Sequence, residues 1–358
     1  MASTLFYTLP IKRVWNETHD SVAISFDVPA ELHDVFQYKH GQYITIKTEM
    51  YGTSERRAYS LCSSPFLDEP LTIAVKKVSD GRVSKWLNEQ IHQGAHVEVM
   101  PPMGNFTTAL SSNNTRHLLC IAGGSGITPI LSIIKSALFV EQQSVVTLVY
   151  ANMNEATTMF AAELDNMQKQ YQHRLRVVHV REEDQQGTAF FVGRLSHDGF
   201  QNILSNYAPD LSSVDAFLCG PEGLMNIART GLLEAGLPMQ RIHQEYFSIS
   251  STSEAATTMS DSTTEIVTRR VKIRLYGQDH EFDVHPDETI LSAAQRADLD
   301  PPYACQIGAC CTCRAKLVSG SASMDEREAL SDDEIADGYI LTCQAHPTSD
   351  GCFADYDQ

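Results

Sequence analysis

HLLCIAGGSGITPILSIIKSALF, residues 117–139, is where the character of the chain changes. Residues 117–122 are an almost continuous apolar run, as expected of a parallel strand buried on both faces. The run meets Gly123-Gly124-Ser125-Gly126-Ile127-Thr128-Pro129 and then the amphipathic stretch ILSIIKSALF. Glycines at a strand-to-helix turn admit a dinucleotide pyrophosphate to the helix N-terminus. The spacing is not G-x-G-x-x-G. Downstream, VVTLVYA (145–151), LRVVHV (175–180) and DAFLCG (215–220) repeat the buried-strand pattern, separated by helical stretches such as TTMFAAELDNMQKQY (157–171). This β-α-β alternation predicts a parallel α/β domain over residues 113–247. Cys219-Gly220-Pro221 makes a second turn at a strand end.

Residues 1–112 follow a different period. VAISFDV (22–28), QYITIKT (42–48), LTIAVKKV (71–78) and HVEVM (96–100) are short alternating segments with Gly and Pro between them. That pattern predicts an antiparallel barrel. Two motifs lie on it. Arg57-Ala58-Tyr59-Ser60 ends one strand, and Gly81-Arg82-Val83-Ser84 precedes the helix KWLNEQI. Gly81 frees the backbone there. Ser84 and the N–H groups of the helix start suit the phosphate of a flavin. Arg57 could neutralise the same diphosphate, and Tyr59 could lie on the flavin ring. Each motif alone is weak; the pair on one barrel carries more.

Ser248–Thr268, SISSTSEAATTMSDSTTEIVT, is rich in Ser and Thr without apolar period and reads as a flexible linker. Beyond it, residues 269–358 open with the alternating strands of RRVKIRLYGQDHEFDV, then the helix TILSAAQRA, the loop YACQIGACCTCR (303–314) and the strand RAKLVSG. Five of nine cysteines lie between 305 and 343. Cys305, Cys310 and Cys313 have the spacing C-x4-C-x2-C, and Cys343 follows at a distance, the ligand set of a plant-type [2Fe–2S] cluster. Zinc sites more often use two C-x2-C pairs. Gly308 suits a backbone that passes close to the sulfides. Cys311 breaks the spacing and reads as a small filler. Cys352 reads as a packed or surface thiol.

Together these motifs resemble the ferredoxin–NADP reductase superfamily with a C-terminal plant-type ferredoxin domain. The resemblance implies a six-stranded antiparallel FAD-binding barrel, a parallel nucleotide-binding α/β domain and a β-grasp ferredoxin domain. It implies that Arg57, Ala58, Tyr59, Ser60, Gly81, Val83 and Ser84 bind FAD. Gly124, Gly126, Thr128 and Pro129 form the family's G-x-G-x-x-P turn. Cys219, Gly220 and Pro221 would lie beside the nicotinamide; Cys219 also reads as a buried structural thiol. Glu245-Tyr246-Phe247 matches the terminal segment beside the flavin, with core packing the other reading of Phe247. Tyr59, Ser60, Cys219 and Phe247 are thus the implied catalytic positions. Arg181, in HVREED, stands where NADP-using relatives place an Arg, which favours NADPH with NADH possible. Val180 and Met153 depart from the pattern there, and Arg181 could instead be a solvated partner of Glu182 or Glu183.

Flavin chemistry joins two-electron hydride donors to one-electron carriers. The expected reaction is therefore electron transfer from NAD(P)H through FAD and the cluster to an oxygenase partner. RAYSLCSSP, VMPPMGNF, AGGSGITPIL and GYILTCQAHPTSD with a terminal DYD most resemble the reductase components of phenylacetate-catabolic epoxidases. They imply a multisubunit diiron epoxidase as partner, and leave reductases of other diiron or Rieske oxygenases, an FMN-binding form or a non-turnover redox sensor as alternatives. The 13 histidines show no metal-ligand spacing. A net charge of −18 disfavours nucleic acid and anionic membranes. No apolar run approaches the roughly 20 residues of a membrane span. With no signal-peptide pattern at residues 1–15, the expected compartment is the cytoplasm.

Overall fold

The computed structural model describes residues 6–50, 52–208, 210–247 and 267–358. Almost all of the linker predicted at 248–268 lies outside these residues. The chain divides into two compact units, Phe6–Phe247 and a second one containing the ferredoxin-like segment.

The first unit begins with β1 (Tyr7–Thr18), β2 (Ser21–Phe26), β3 (Tyr43–Met50), β4 (Thr53–Ser60), β5 (Thr72–Lys76), α1 (Arg82–Glu89) and β6 (His96–Met103). The six strands are ordered β4-β3-β6-β1-β2-β5, and Leu61, just past β4, bridges Ile73 of β5. That bridge brings the two edges together as a barrel, which removes free strand edges. Strand β1 was not legible as a strand. It changes partner midway, pairing β6 over Tyr7–Pro10 and β2 from Ile11 onward. Its alternation is interrupted at that switch. The barrel interior is filled by Leu9, Ile24, Ile44, Ile46, Ile73 and Val99, all inaccessible to solvent.

The α/β half contains β7 (His117–Gly123), α2 (Ile127–Val140), β8 (Val145–Asn152), α3 (Ala161–Tyr171), β9 (Leu175–Arg181), β10 (Phe191–Val192), α4 (His197–Tyr207), β11 (Val214–Cys219), α5 (Glu222–Glu234) and β12 (Ile242–Glu245). Its strands are ordered β10-β9-β8-β7-β11-β12, all parallel. The winding reverses between β7 and β11. In doubly wound sheets the crevice past the strand ends at such a reversal is where nucleotides bind.

Barrel and α/β half share one core: Ala23, Cys62, Ala74 and Phe106 pack with Leu118, Ile130, Ile134 and Phe217. Polar ties reinforce it. Ser132 Oγ donates to the Ser63 carbonyl at 2.6 Å. Lys135, nearly buried, pairs with Glu69 at 3.1 Å and Glu163 at 2.6 Å. Arg116 grips Glu141, whose side chain has no solvent exposure, through Nε at 3.1 Å and Nη2 at 2.7 Å, and reaches Asp215 at 2.9 Å.

The second unit contains β13 (Arg269–Leu275), β14 (Gln278–Val284), α6 (Ile290–Arg296), β15 (Arg314–Ser319), β16 (Ala322–Met324), α7 (Asp332–Ala336), β17 (Tyr339–Leu341), β18 (Ala345–Pro347) and β19 (Cys352–Asp355). A mixed five-stranded sheet, β14-β13-β19-β15-β17, curves around α6, the β-grasp arrangement; β16 and β18 form a separate ribbon. Thr289 caps α6 reciprocally with Ser292. Cys352 is fully buried in this core, which settles its packing role.

Candidate electron-transfer site

Strand alternation places Arg57 and Tyr59 of β4 on one barrel face, with Ala58 and Ser60 on the other. Arg57 is exposed and its guanidinium pairs with Glu55 at 2.9 Å. Burial pushes the Tyr59 phenol well above its ordinary value. Gly81 caps α1, and a Cβ there would come 2.4 Å from Ser84 Oγ. That hydroxyl is occupied within the turn: it accepts from the Val78 N–H at 3.2 Å and donates to the Gly81 carbonyl at 3.4 Å. Val83 is buried in the barrel core, so only its backbone can face a ligand.

The second wall comes from the ends of β7 and β11. A Cβ on Gly126 would lie 2.2 Å from the Cys219 carbonyl oxygen, and one on Gly220 would lie 2.8 Å from the Gly123 nitrogen. The glycines of both turns are therefore required for the two backbones to touch. Gly124 has a left-handed φ of +53 and open space beside it. Thr128 is buried and donates to the Ser125 carbonyl at 3.0 Å, fixing the turn. Pro129 is buried in the first turn of α2, a position where its missing N–H costs nothing. Pro221 precedes α5.

Ser60 and Glu245 join the two walls. Ser60 Oγ donates to Glu245 Oε2 at 3.1 Å. Glu245 stands opposite Cys219 in the β11–β12 register. Burial raises the Glu245 carboxyl to about 8, against the lowering effect of the Ser60 hydrogen bond. Burial, with Glu245 nearby, also pushes the Cys219 thiol well up. This corner thus holds a carboxyl and a thiol whose ionisation is disfavoured, beside a hydroxyl. Phe247 is 44% exposed, which rules out core packing.

Arg181 departs from the expectation of a solvated side chain. It is buried rather than solvated, and its partners are not Glu182 or Glu183. Nη1 meets Glu155 at 2.9 Å, Thr188 Oγ1 at 2.5 Å and Asp184 at 3.5 Å. Glu155, just past β8, escaped the sequence reading. Its position after the second strand of a dinucleotide-type β-α-β unit, where an acid commonly meets a ribose, was the available signal.

In the second unit, Cys310 Sγ lies 3.1 Å from Cys305 Sγ, and Cys343 contacts both Cys305 and Cys313. Thr342 pins the fourth cysteine beside the third: its N–H and Oγ1 both donate to the Cys313 carbonyl, at 3.1 and 2.9 Å. Among the described residues no three His, Cys, Asp or Glu side chains form a single-ion site. The four thiols are joined by sulfur–sulfur contacts instead. Gly308 has φ +75, and a Cβ there would come 2.8 Å from Glu326 Cβ. Three thiols from one tight loop and a fourth from a separate segment fit an iron–sulfur cluster. Cys311 points elsewhere, donating to the Ala329 carbonyl at 2.7 Å.

With this geometry in place, the chain belongs to the flavin- and iron–sulfur-containing reductases of oxygenase systems. Residues 8–108 match the oxidoreductase FAD-binding domain, 120–230 the oxidoreductase NAD-binding domain, and 273–348 the 2Fe-2S iron-sulfur cluster binding domain. One component of the 1,2-phenylacetyl-CoA epoxidase of Escherichia coli K12 is 35% identical over 99% of this chain and 98% of its own. The ferredoxin reductase component of 3-ketosteroid-9-alpha-monooxygenase from Rhodococcus rhodochrous is 36% identical over 96% of this chain and 94% of its own. Among solved structures, phthalate dioxygenase reductase superposes with a TM-score of 0.60, covering 98% of both chains at 24% identity, and shares the fold. No helix among the described residues is long and apolar enough to cross a membrane.

Proposed function

We propose that this protein draws electrons from a nicotinamide dinucleotide and delivers them to a cytoplasmic oxygenase, with a multisubunit diiron epoxidase acting on phenylacetyl-CoA as the foremost partner. The observation that carries this reading is the end-to-end likeness to a component of the phenylacetyl-CoA epoxidase. Bound flavin accepts hydride and releases electrons singly, as an iron–sulfur cluster requires.

The chain's own residues set the conditions for that chemistry. Arg57, Tyr59 and the N–H groups opening α1 would hold the flavin. The turns at Gly124–Gly126 and Gly220 would bring the nicotinamide to the corner where Ser60 and Glu245 meet. Glu245, whose carboxyl is raised by its surroundings, disfavours negative charge beside the incoming reductant and is held by the Ser60 hydroxyl. Phe247, exposed, would cover the flavin. Cys305, Cys310, Cys313 and Cys343 would hold the cluster.

The partner-facing chemistry is acidic. Residues 269–358 carry 17 Asp and Glu against 8 Lys and Arg. Part of this acidic segment, around Glu326 and Ala329, lies directly against the cluster loop. Docking to the oxygenase should therefore weaken as salt rises.

Coupled turnover tests the reading. The purified reductase is mixed with a dinucleotide and purified phenylacetyl-CoA epoxidase, and product formation is followed across ionic strength. Epoxide formation that declines with salt is expected; none above the reductase-free control would sink the epoxidase assignment. A ketosteroid monooxygenase serves as the second oxygenase, because the relative serving one is equally similar.

A further inference from the structure

The dinucleotide reading leaves open which nucleotide is used, and the buried cation beside β9 bears on this directly. In a doubly wound unit the adenosine ribose lies past the second strand; a carboxylate there bonds the 2′-hydroxyl, whereas a free Arg accommodates a 2′-phosphate. Here the second strand is β8, and the residues at its end are Asn152, Asn154 and Glu155.

Arg181 stands opposite Asn152 in the β8–β9 register. Its side chain is 7% exposed, while that of Glu155, which it grips, is 29% exposed. A ligand arriving from solvent thus meets the carboxylate before the guanidinium. The second carboxylate on the same Nη1, Asp184, is 1% exposed and is anchored by the Gly187 and Ala189 N–H groups at 3.1 and 2.8 Å. Glu182 and Glu183 add exposed negative charge, and the N–H groups of both donate to the end of β8. Arg194, also exposed, has its Nε 3.2 Å from Glu182. Counted together, Arg181 and Arg194 face Glu155, Glu182, Glu183 and Asp184. A 2′-phosphate would enter a region of net negative charge, whereas a ribose hydroxyl can donate to Glu155. Asn152, 9% exposed, closes the same strand end.

We propose that this site is built for an unphosphorylated ribose, so that NADH rather than NADPH is the reductant, with Glu155 as the residue that sets the choice. This rests on residues 113–247 being a dinucleotide site, and it departs from the NADPH preference suggested by Arg181 in the sequence. Arg181 here is a positioning residue that aims Glu155.

Ferricyanide reduction by the full-length, flavin-loaded protein tests the proposal. Each NADH oxidised to NAD+ and a proton gives two electrons, reducing two ferricyanide ions. The expected kcat/KM for NADH exceeds that for NADPH by about tenfold or more, a difference of about 1.4 kcal/mol. Glu155→Gln removes one carboxylate from Arg181 and should lower that ratio by about tenfold, through opposite changes in the two KM values. Competition by ADP and by its 2′-phosphorylated analogue against NADH should show the plain nucleotide binding more tightly. The native ratio decides the matter even if the variant folds poorly. NADPH equal to or better than NADH would overturn the proposal, as would an unchanged ratio in a folded Glu155→Gln protein. Reduction by neither nucleotide would instead overturn the dinucleotide reading beneath it.

Discussion

Ser60 and Glu245 are 185 positions apart in sequence, yet one hydrogen bond of 3.1 Å ties the last residue of β4 to the last residue of β12. The bond exists because the barrel and the α/β half share a core, and it places a half-buried carboxyl where the two walls meet. Its energetics make the first prediction.

The Glu245 carboxyl is raised from 4.5 to about 8 by burial. Below 4.5 both folded and unfolded chains keep the proton, and its contribution to stability is complete. Between 4.5 and about 8 the unfolded chain ionises while the folded one does not, so stability falls as pH rises. The loss should be on the order of 2–4 kcal/mol across that window. Thermal melts of the native protein and Glu245→Gln from pH 5 to 8.5 check this: the variant should lack the corresponding decline, and parallel curves would refute the assignment.

Gly126 and Gly124 lie two residues apart and should respond differently to alanine. At Gly126 the new methyl would press on the Cys219 backbone at 2.2 Å, which cannot rotate away. A loss of about 1–3 kcal/mol is expected from overpacking, together with loss of dinucleotide binding. At Gly124 nothing lies within 4 Å, and only the left-handed φ of +53 is strained, costing about 1–2 kcal/mol. Urea denaturation separates the two, with the larger stability loss in Gly126→Ala, and titration with NAD+ should show weakened binding in both because both belong to the dinucleotide turn.

Arg116 holds Glu141, whose side chain has no solvent exposure, by two hydrogen bonds. Arg116→Met removes the cation and leaves that carboxylate without its counter-charge. Breaking a buried pair in this way costs about 3–5 kcal/mol. Adding Glu141→Gln should recover much of the loss; a double variant no more stable than the single would contradict the pairing argument.

The cluster loop, residues 303–314, offers a test when its Cys311 is compared with the distant Cys343. Cys311→Ser should keep the visible absorption and the low-temperature EPR signal of a reduced [2Fe–2S] centre, since its thiol is turned to Ala329. Cys343→Ser should lose both. Equal loss in the two variants would mean that Cys311 is a ligand.

Much of this was legible because it depends on local chemistry. The buried strands around 117–122 and 215–220, the glycines between strand and helix, and the C-x4-C-x2-C loop each declare their role within a dozen residues. What escaped depends on contacts across the chain. Glu155 and Arg181 are 26 positions apart and meet only because β8 and β9 lie side by side in register. Lys135 meets Glu69 across 66 positions. Strand β1 was obscured by its change of partner at Pro10 and Ile11. Ser84 reads as a free phosphate donor because a sequence does not show its hydroxyl turned to the Gly81 carbonyl.

The contact between the β7 and β11 turns also constrains how this protein can diverge. A side chain at Gly126 would strike the backbone at Cys219, and one at Gly220 would strike the backbone at Gly123. In each case the obstacle is main chain, which no change of neighbouring residue can shrink. Neither glycine can therefore be exchanged first and compensated later, and a double exchange would add the two collisions. Evolution can retune the surface acids, the ribose-facing carboxylate and the cluster's surroundings one step at a time, but the crossing of these two turns must be inherited intact.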